Sequence, residues 1–147
     1  MAALRRAEVV WEGDLISGSG NVTAVSSQAF RSLPVTWASR TEAADGRTSP
    51  EELIAAAHAS CFSMALSAAL GRAGKPPRRL EVGATVAFDR VEGGWRVASS
   101  ALKVRGRVPG MDEAAFKQAA ETAKDNCPVS QALKGNVTLS VEATLES

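Results

Sequence analysis

The chain has 147 residues, of which 45% are hydrophobic and 22% charged, a size and composition that suit one domain over 1–147 with a core of its own. A formal net charge of +1, with acids and bases scattered along the chain, excludes the basic footprint of a nucleic-acid binder. Met1-Ala2-Ala3-Leu4-Arg5-Arg6 lacks the apolar stretch that would follow the positive residues of a secretory signal, so a cytoplasmic protein is expected.

The first forty residues read as a strand meander. Val9 to Glu12 and Asn21 to Ser26 are β-prone, the Gly/Ser-rich Ser17-Gly18-Ser19-Gly20 supplies turn chemistry between them, and Pro34 to Ser39 is a further β-prone run. Ser49-Pro50-Glu51-Glu52 then opens a helix. Ser49 can cap the free amides, Pro50 suits the first helical position, and Glu52 falls where it can close a capping box. This helix should run from about Pro50 to about Leu70 and end at Gly71, Gly74 and Pro76-Pro77.

From Leu53 to Gly71 there is no Asp, Glu, Lys or Arg. Its length brushes the roughly 18 residues of a membrane span. It is built on Ala, however, and interrupted by His58, Ser60, Ser63 and Ser67, so it reads as a helix buried in a domain or at a dimer interface, with no membrane involved.

Alternation at Val82, Ala84, Val86 and Phe88, a Gly93-Gly94 turn and a strand from Trp95 to Val108 predict a hairpin. Lys103, Arg105 and Arg107 share one of its faces, read first as a solvated face and second as a docking patch for an acidic partner or reductant. Asp112 can cap a helix with an apolar stripe at Ala115, Phe116, Ala119, Ala120 and Ala123. Cys127-Pro128 breaks that helix and starts a short one through Leu133, and Val137 to Leu145 closes the chain as a strand. The order is α+β rather than regular βαβ repetition. Trp11, Trp37 and Trp95 fall on predicted strands as core or interface residues.

The two cysteines, Cys61 in the Ala-rich helix and Cys127 before Pro128, are the whole thiol inventory. In a reducing compartment they read as buried fillers, metal ligands or transient redox partners, and two thiols with the single His58 do not complete a four-ligand metal site. One attacking and one resolving thiol suffice to reduce a peroxide without metal or cofactor. The attacking form is the thiolate. Cys127 lies where a helix should start, so backbone amides favour its anion. Cys61 is surrounded by Ala, Phe and Met, and desolvation should raise its pKa. Taken alone it reads as a small apolar filler.

Activation of Cys61 would come from Arg40 or Arg47, in the segment before the helix, with Glu51 orienting the guanidinium through a bidentate contact. Glu51 and Cys61 are ten residues apart, about 15 Å along a helix, so they cannot touch directly. Either an arginine spans the gap or the partner of Cys61 comes from another subunit. His58, one turn before Cys61, reads as a packed histidine satisfied by a hydrogen bond, or as a base.

Together, Trp11-Glu12-Gly13-Asp14, the block from Ser49-Pro50-Glu51-Glu52-Leu53 through His58-Ala59-Ser60-Cys61-Phe62-Ser63-Met64, Val108-Pro109-Gly110-Met111 and Asn126-Cys127-Pro128-Val129-Ser130-Gln131 resemble the OsmC/Ohr family of thiol-dependent organic hydroperoxide reductases. The wording around Cys61 is similar to the OsmC branch. The resemblance implies an intertwined homodimer with antiparallel sheets wrapped around long central buried helices and active sites at the subunit interface. It also implies Cys61 as the peroxidatic cysteine and Cys127 as the resolving one, the reverse of what the helix-terminus argument favours. Glu51 takes the salt-bridge role, with Arg40 as its partner beside Cys61, and no metal or cofactor is implied.

The implied reaction begins with Cys61 thiolate attack on a peroxide oxygen, which releases an alcohol and leaves a sulfenic acid. Condensation with Cys127 gives a Cys61–Cys127 disulfide, and an external dithiol, typically dihydrolipoamide or a lipoylated protein, restores both thiols. An apolar pocket would favour organic over hydrogen peroxide, at roughly 0.8 kcal/mol per buried methylene. The alternative reading is a non-catalytic dimeric α+β module that binds a small molecule or a partner. A general disulfide oxidoreductase is disfavoured by the lack of a Cys-x-x-Cys motif.

Overall fold

The structure, a computed structural model, describes residues 1–146. The chain forms two compact units, Met1–Leu53 and Ile54–Ser147.

In the first unit, β1 (Ala7–Glu12), β2 (Ser19–Ala24) and β3 (Leu33–Val35) form an antiparallel sheet in that order. The β1–β2 turn is tied by Asp14, whose carboxylate accepts from the amide and hydroxyl of Ser17 at 2.7 and 2.8 Å. The expected strand over Pro34 to Ser39 stops at Val35, and α1 (Trp37–Thr41) begins. A local capping box overrides the β-propensity. The Thr36 hydroxyl accepts from the Ser39 amide, and the Ser39 hydroxyl accepts from the Thr36 amide, both at 3.0 Å. Trp37 therefore sits on a helix rather than a strand.

Helix α2 (Pro50–Arg72) starts where expected, with the Ser49 hydroxyl accepting from the Glu52 amide at 3.1 Å. The return half of the expected capping box is replaced by a Thr48 hydroxyl that donates to the Glu52 carboxylate at 2.7 Å. At the far end Gly74, at φ +76°, lets the chain turn back, so that the Gly74 amide reaches Gly71 O and the Lys75 amide reaches Leu70 O. By length and composition alone α2 could cross a membrane. Four of its residues, His58, Phe62, Leu66 and Leu70, recur every fourth position and are buried in protein, while Met64 is 71% exposed.

In the second unit, β4 (Arg79–Val91) and β5 (Gly94–Arg107) make the expected hairpin, and β6 (Thr138–Leu145) pairs with β5 in parallel. This sheet is thus mixed rather than purely antiparallel. A parallel neighbour needs a long crossover, which α3 (Glu113–Asn126) and α4 (Pro128–Leu133) supply. Asp112 caps α3 by accepting from the Ala115 amide at 2.8 Å. Phe116, Ala120 and Ala123 of α3 pack with Phe62, Leu66, Leu70, Leu102, Val104 and Cys127 in one core. Arg105 and Arg107 each reach Glu146 at 2.9 Å on an exposed face. Trp11 and Trp95 are exposed and Trp37 is half-buried, so none of the three is a core residue; Trp95 stacks on Phe88, 4.9 Å between ring centroids.

Candidate active site

Proline at 128 builds the thiol pair. Its ring disfavours helical geometry in the preceding residue, so Cys127 is extended, at φ −58° and ψ 127°, between α3 and α4. Its amide still closes α3 on Ala123 O and its carbonyl opens α4 by accepting from Gln131 N. The sulfur lies in the core with no exposure, against a half-buried Cys61 from the middle of α2. Both are free thiols, and Cys61 packs against the core cluster that holds Cys127.

Their environments differ in sign. Burial pushes the Cys61 thiol up, and its hydrogen bond to Cys127 adds to this, with the Val129 amide opposing. Burial would raise Cys127 as well, but the Ser130 amide, the Cys61 thiol, the Ser130 hydroxyl and the Val129 amide outweigh it, and its pKa falls. Within this unit Cys127 is the more acidic of the two thiols, in line with the helix-start argument.

One turn before Cys61, His58 is completely buried and both of its ring nitrogens are used. Nδ1 lies 2.6 Å from the Ser100 hydroxyl and Nε2 lies 2.8 Å from the Ser130 hydroxyl. Burial lowers the His58 pKa, which keeps the ring neutral. Two residues three apart on α2, His58 and Cys61, thus face two residues three apart at the start of α4, Ser130 and Cys127. Sequence reasoning gave Ser100 and Ser130 no role. The available signal was Ser130, three residues after Cys127, where an N-terminal helical turn brings side chains together.

The first unit holds the other expected pair. The buried Ser39 hydroxyl donates to Thr48 O at 2.8 Å and the Thr48 amide to Pro34 O at 2.9 Å, which fixes α1 against the start of α2. Arg40 then meets Glu51 with two nitrogens, Nε at 3.0 Å and Nη2 at 2.9 Å. Its guanidinium also lies 5.9 Å from the centre of the Trp37 ring. Arg47, the other candidate, is on the surface beside Asp45 at 3.6 Å. An apolar cavity of about 360 Å3 opens beside Arg40, walled by Trp11, Leu15, Val22, Trp37 and Leu53. Among the described residues no three His, Cys, Asp or Glu side chains cluster as a metal site.

The family model for OsmC-like protein matches residues 43–142. The chain is 42% identical over 139 residues to Peroxiredoxin OsmC of Escherichia coli (strain K12), covering 95% of this chain and 96% of that protein. It is 33% identical over 91 residues to the Organic hydroperoxide resistance protein of Xanthomonas axonopodis pv. citri (strain 306), 61% of this chain and 62% of that one. Among solved structures, the organic hydroperoxide resistance protein OhrB of Bacillus subtilis superimposes with a TM-score of 0.71 at 25% identity, covering 97% of this chain and 100% of that one. The OsmC like protein from Mycoplasma pneumoniae, with a TM-score of 0.75 at 15% identity and full coverage of both chains, shares the fold. The extent of the family match and the identity across nearly the whole chain settle the assignment: the chain belongs to the OsmC family.

Proposed function

We propose that the protein is a peroxiredoxin-like enzyme, a thiol-dependent peroxidase that reduces organic hydroperoxides and, more weakly, hydrogen peroxide. The observation that carries this reading is the contact between two free thiols of unequal access, Cys61 half-buried and Cys127 fully buried. A peroxide can approach only the first, so Cys61 attacks. Its sulfur takes one peroxide oxygen to become a sulfenic acid while the O–O bond breaks and the alcohol leaves. Cys127 displaces that oxygen as water, forming the disulfide, and two electrons from an external dithiol, dihydrolipoamide or a lipoylated protein, restore both thiols.

Cys61 lacks a positive neighbour on α2, so its activation falls to Arg40, with Glu51 holding the guanidinium in one orientation. The apolar cavity beside Arg40 suits an alkyl chain. The working form is a cytoplasmic homodimer of one OsmC-like domain over 1–147, with active sites at the subunit interface. The exposed, uncharged face of α2 around Met64, with Ala57, Ser60 and Ala68, supports a second copy as its cover.

The test is turnover of cumene hydroperoxide and of hydrogen peroxide with dihydrolipoamide as reductant. Dihydrolipoamide-dependent turnover faster with the organic substrate is expected. No turnover with either peroxide would favour a dimeric binding module.

A further inference from the structure

The hydroxyl chain around His58 has a direction. A neutral imidazole offers one donor and one acceptor nitrogen, whereas each serine hydroxyl can both donate and accept. If Nε2 carries the hydrogen, Ser130 Oγ accepts it and keeps its own hydrogen for the Cys127 sulfur, while Ser100 donates to Nδ1. If Nδ1 carries it, Ser130 donates to Nε2 and Cys127 loses that donor. All of these groups are shut off from water: His58, Ser100 and Cys127 have no exposure and Ser130 has 1%. No solvent molecule competes for the hydroxyl, so the ring hydrogen controls it.

We infer that His58, as the Nε2–H tautomer between Ser100 and Ser130, is a positioning residue that turns the Ser130 hydroxyl toward the Cys127 sulfur, three residues earlier at the start of the same helix. This rests on the proposed role of Cys127 as the resolving thiol. In the resolving step the Cys127 thiolate attacks the sulfenic sulfur of Cys61. The S–S bond forms, the S–O bond breaks, and the departing hydroxide takes up the proton that Cys127 had released, leaving as water. Cys127 is oxidised and the sulfenic sulfur reduced. Among the described residues Cys61 is the titratable group that meets the Cys127 sulfur. Lys124, three residues earlier on α3, has its ammonium on Glu121 at 2.9 Å and Asp125 at 3.7 Å.

The test titrates Cys127 alone. In a Cys61→Ala background the ultraviolet absorbance of the thiolate is followed against pH, with thermal melting of each variant alongside. Ser130→Ala and His58→Leu are expected to raise the midpoint by about one unit, a tenfold loss of thiolate on the rising limb. His58→Gln, whose amide N–H can take the place of Nε2–H, should stay close to the parent. A midpoint unmoved in folded Ser130→Ala, or moved equally in His58→Leu and His58→Gln, overturns the inference. Because no peroxide enters this assay, a wild type without peroxidase turnover would remove the proposed function but leave this result standing.

Discussion

Arg40 spans both carboxylate oxygens of Glu51, Nε at 3.0 and 3.2 Å and Nη2 at 2.9 Å, and the Glu51 side chain is only 7% exposed. Two parallel N–H···O contacts fix the plane of a guanidinium, which a single point charge cannot do.

Losing that fixed plane should therefore cost activity. Arg40→Ala is expected to lower kcat/KM for cumene hydroperoxide by about 10²-fold, the scale for removal of a preorganised donor, and Arg40→Lys should recover little of it. Glu51→Gln should lower activity less. In stability the order follows burial: Arg40→Ala leaves a buried carboxylate without its partner, so it should melt below Glu51→Gln.

The buried His58 gives the fold an acid limit. In the unfolded chain it titrates near its ordinary value of 6.5, while in the fold its pKa is lower. Between those two values the unfolded state binds more protons, so stability falls as pH drops below 6.5 and is unaffected by this group above it. The slope from this residue is at most about 1.4 kcal/mol per pH unit. Urea midpoints measured across that range should fall toward acid in the wild type, and His58→Gln should lack this component.

Gly106 on β5 faces the ring of Phe116, and a Cβ placed there would lie 2.8 Å from Cε1 and closer still to Cζ. Phe116 is fully buried and cannot swing away. Gly106→Ala should therefore destabilise the second unit by about 1–3 kcal/mol through overpacking, readable as a lower melting temperature. An unchanged melt would mean that α3 is loosely held against the sheet.

Much of this architecture was legible where local chemistry and hydrophobic period agree. Ser49-Pro50 announced α2, Gly93-Gly94 the hairpin, Asp112 the cap of α3, and Pro128 the break at Cys127. What escaped depended on partners distant in sequence. The helix at Trp37 turned on a Thr36 and Ser39 exchange that competes with a β-prone composition. The parallel pairing of β6 with β5 leaves no mark in either strand, since alternation is the same for both directions. The family resemblance named Arg40 as the partner of Glu51, as found, whereas the residues alone left Arg40 and Arg47 open, because the tie that selects Arg40, Ser39 and Thr48 holding α1 to the start of α2, follows no spacing rule. Ser100 and Ser130 matter through one ring 42 and 72 residues away along the chain.

The central claim, that Cys61 reacts first and Cys127 resolves it, is tested most directly by titrating free thiols and recording intact mass before and after one equivalent of cumene hydroperoxide, on the wild type, Cys61→Ser and Cys127→Ser. The wild type should lose both thiols and the mass of two hydrogens, Cys61→Ser should keep its remaining thiol, and Cys127→Ser should gain the mass of oxygen as a sulfenic or overoxidised acid. Two intact thiols in the treated wild type, or reaction at Cys127 with Cys61 absent, would contradict it.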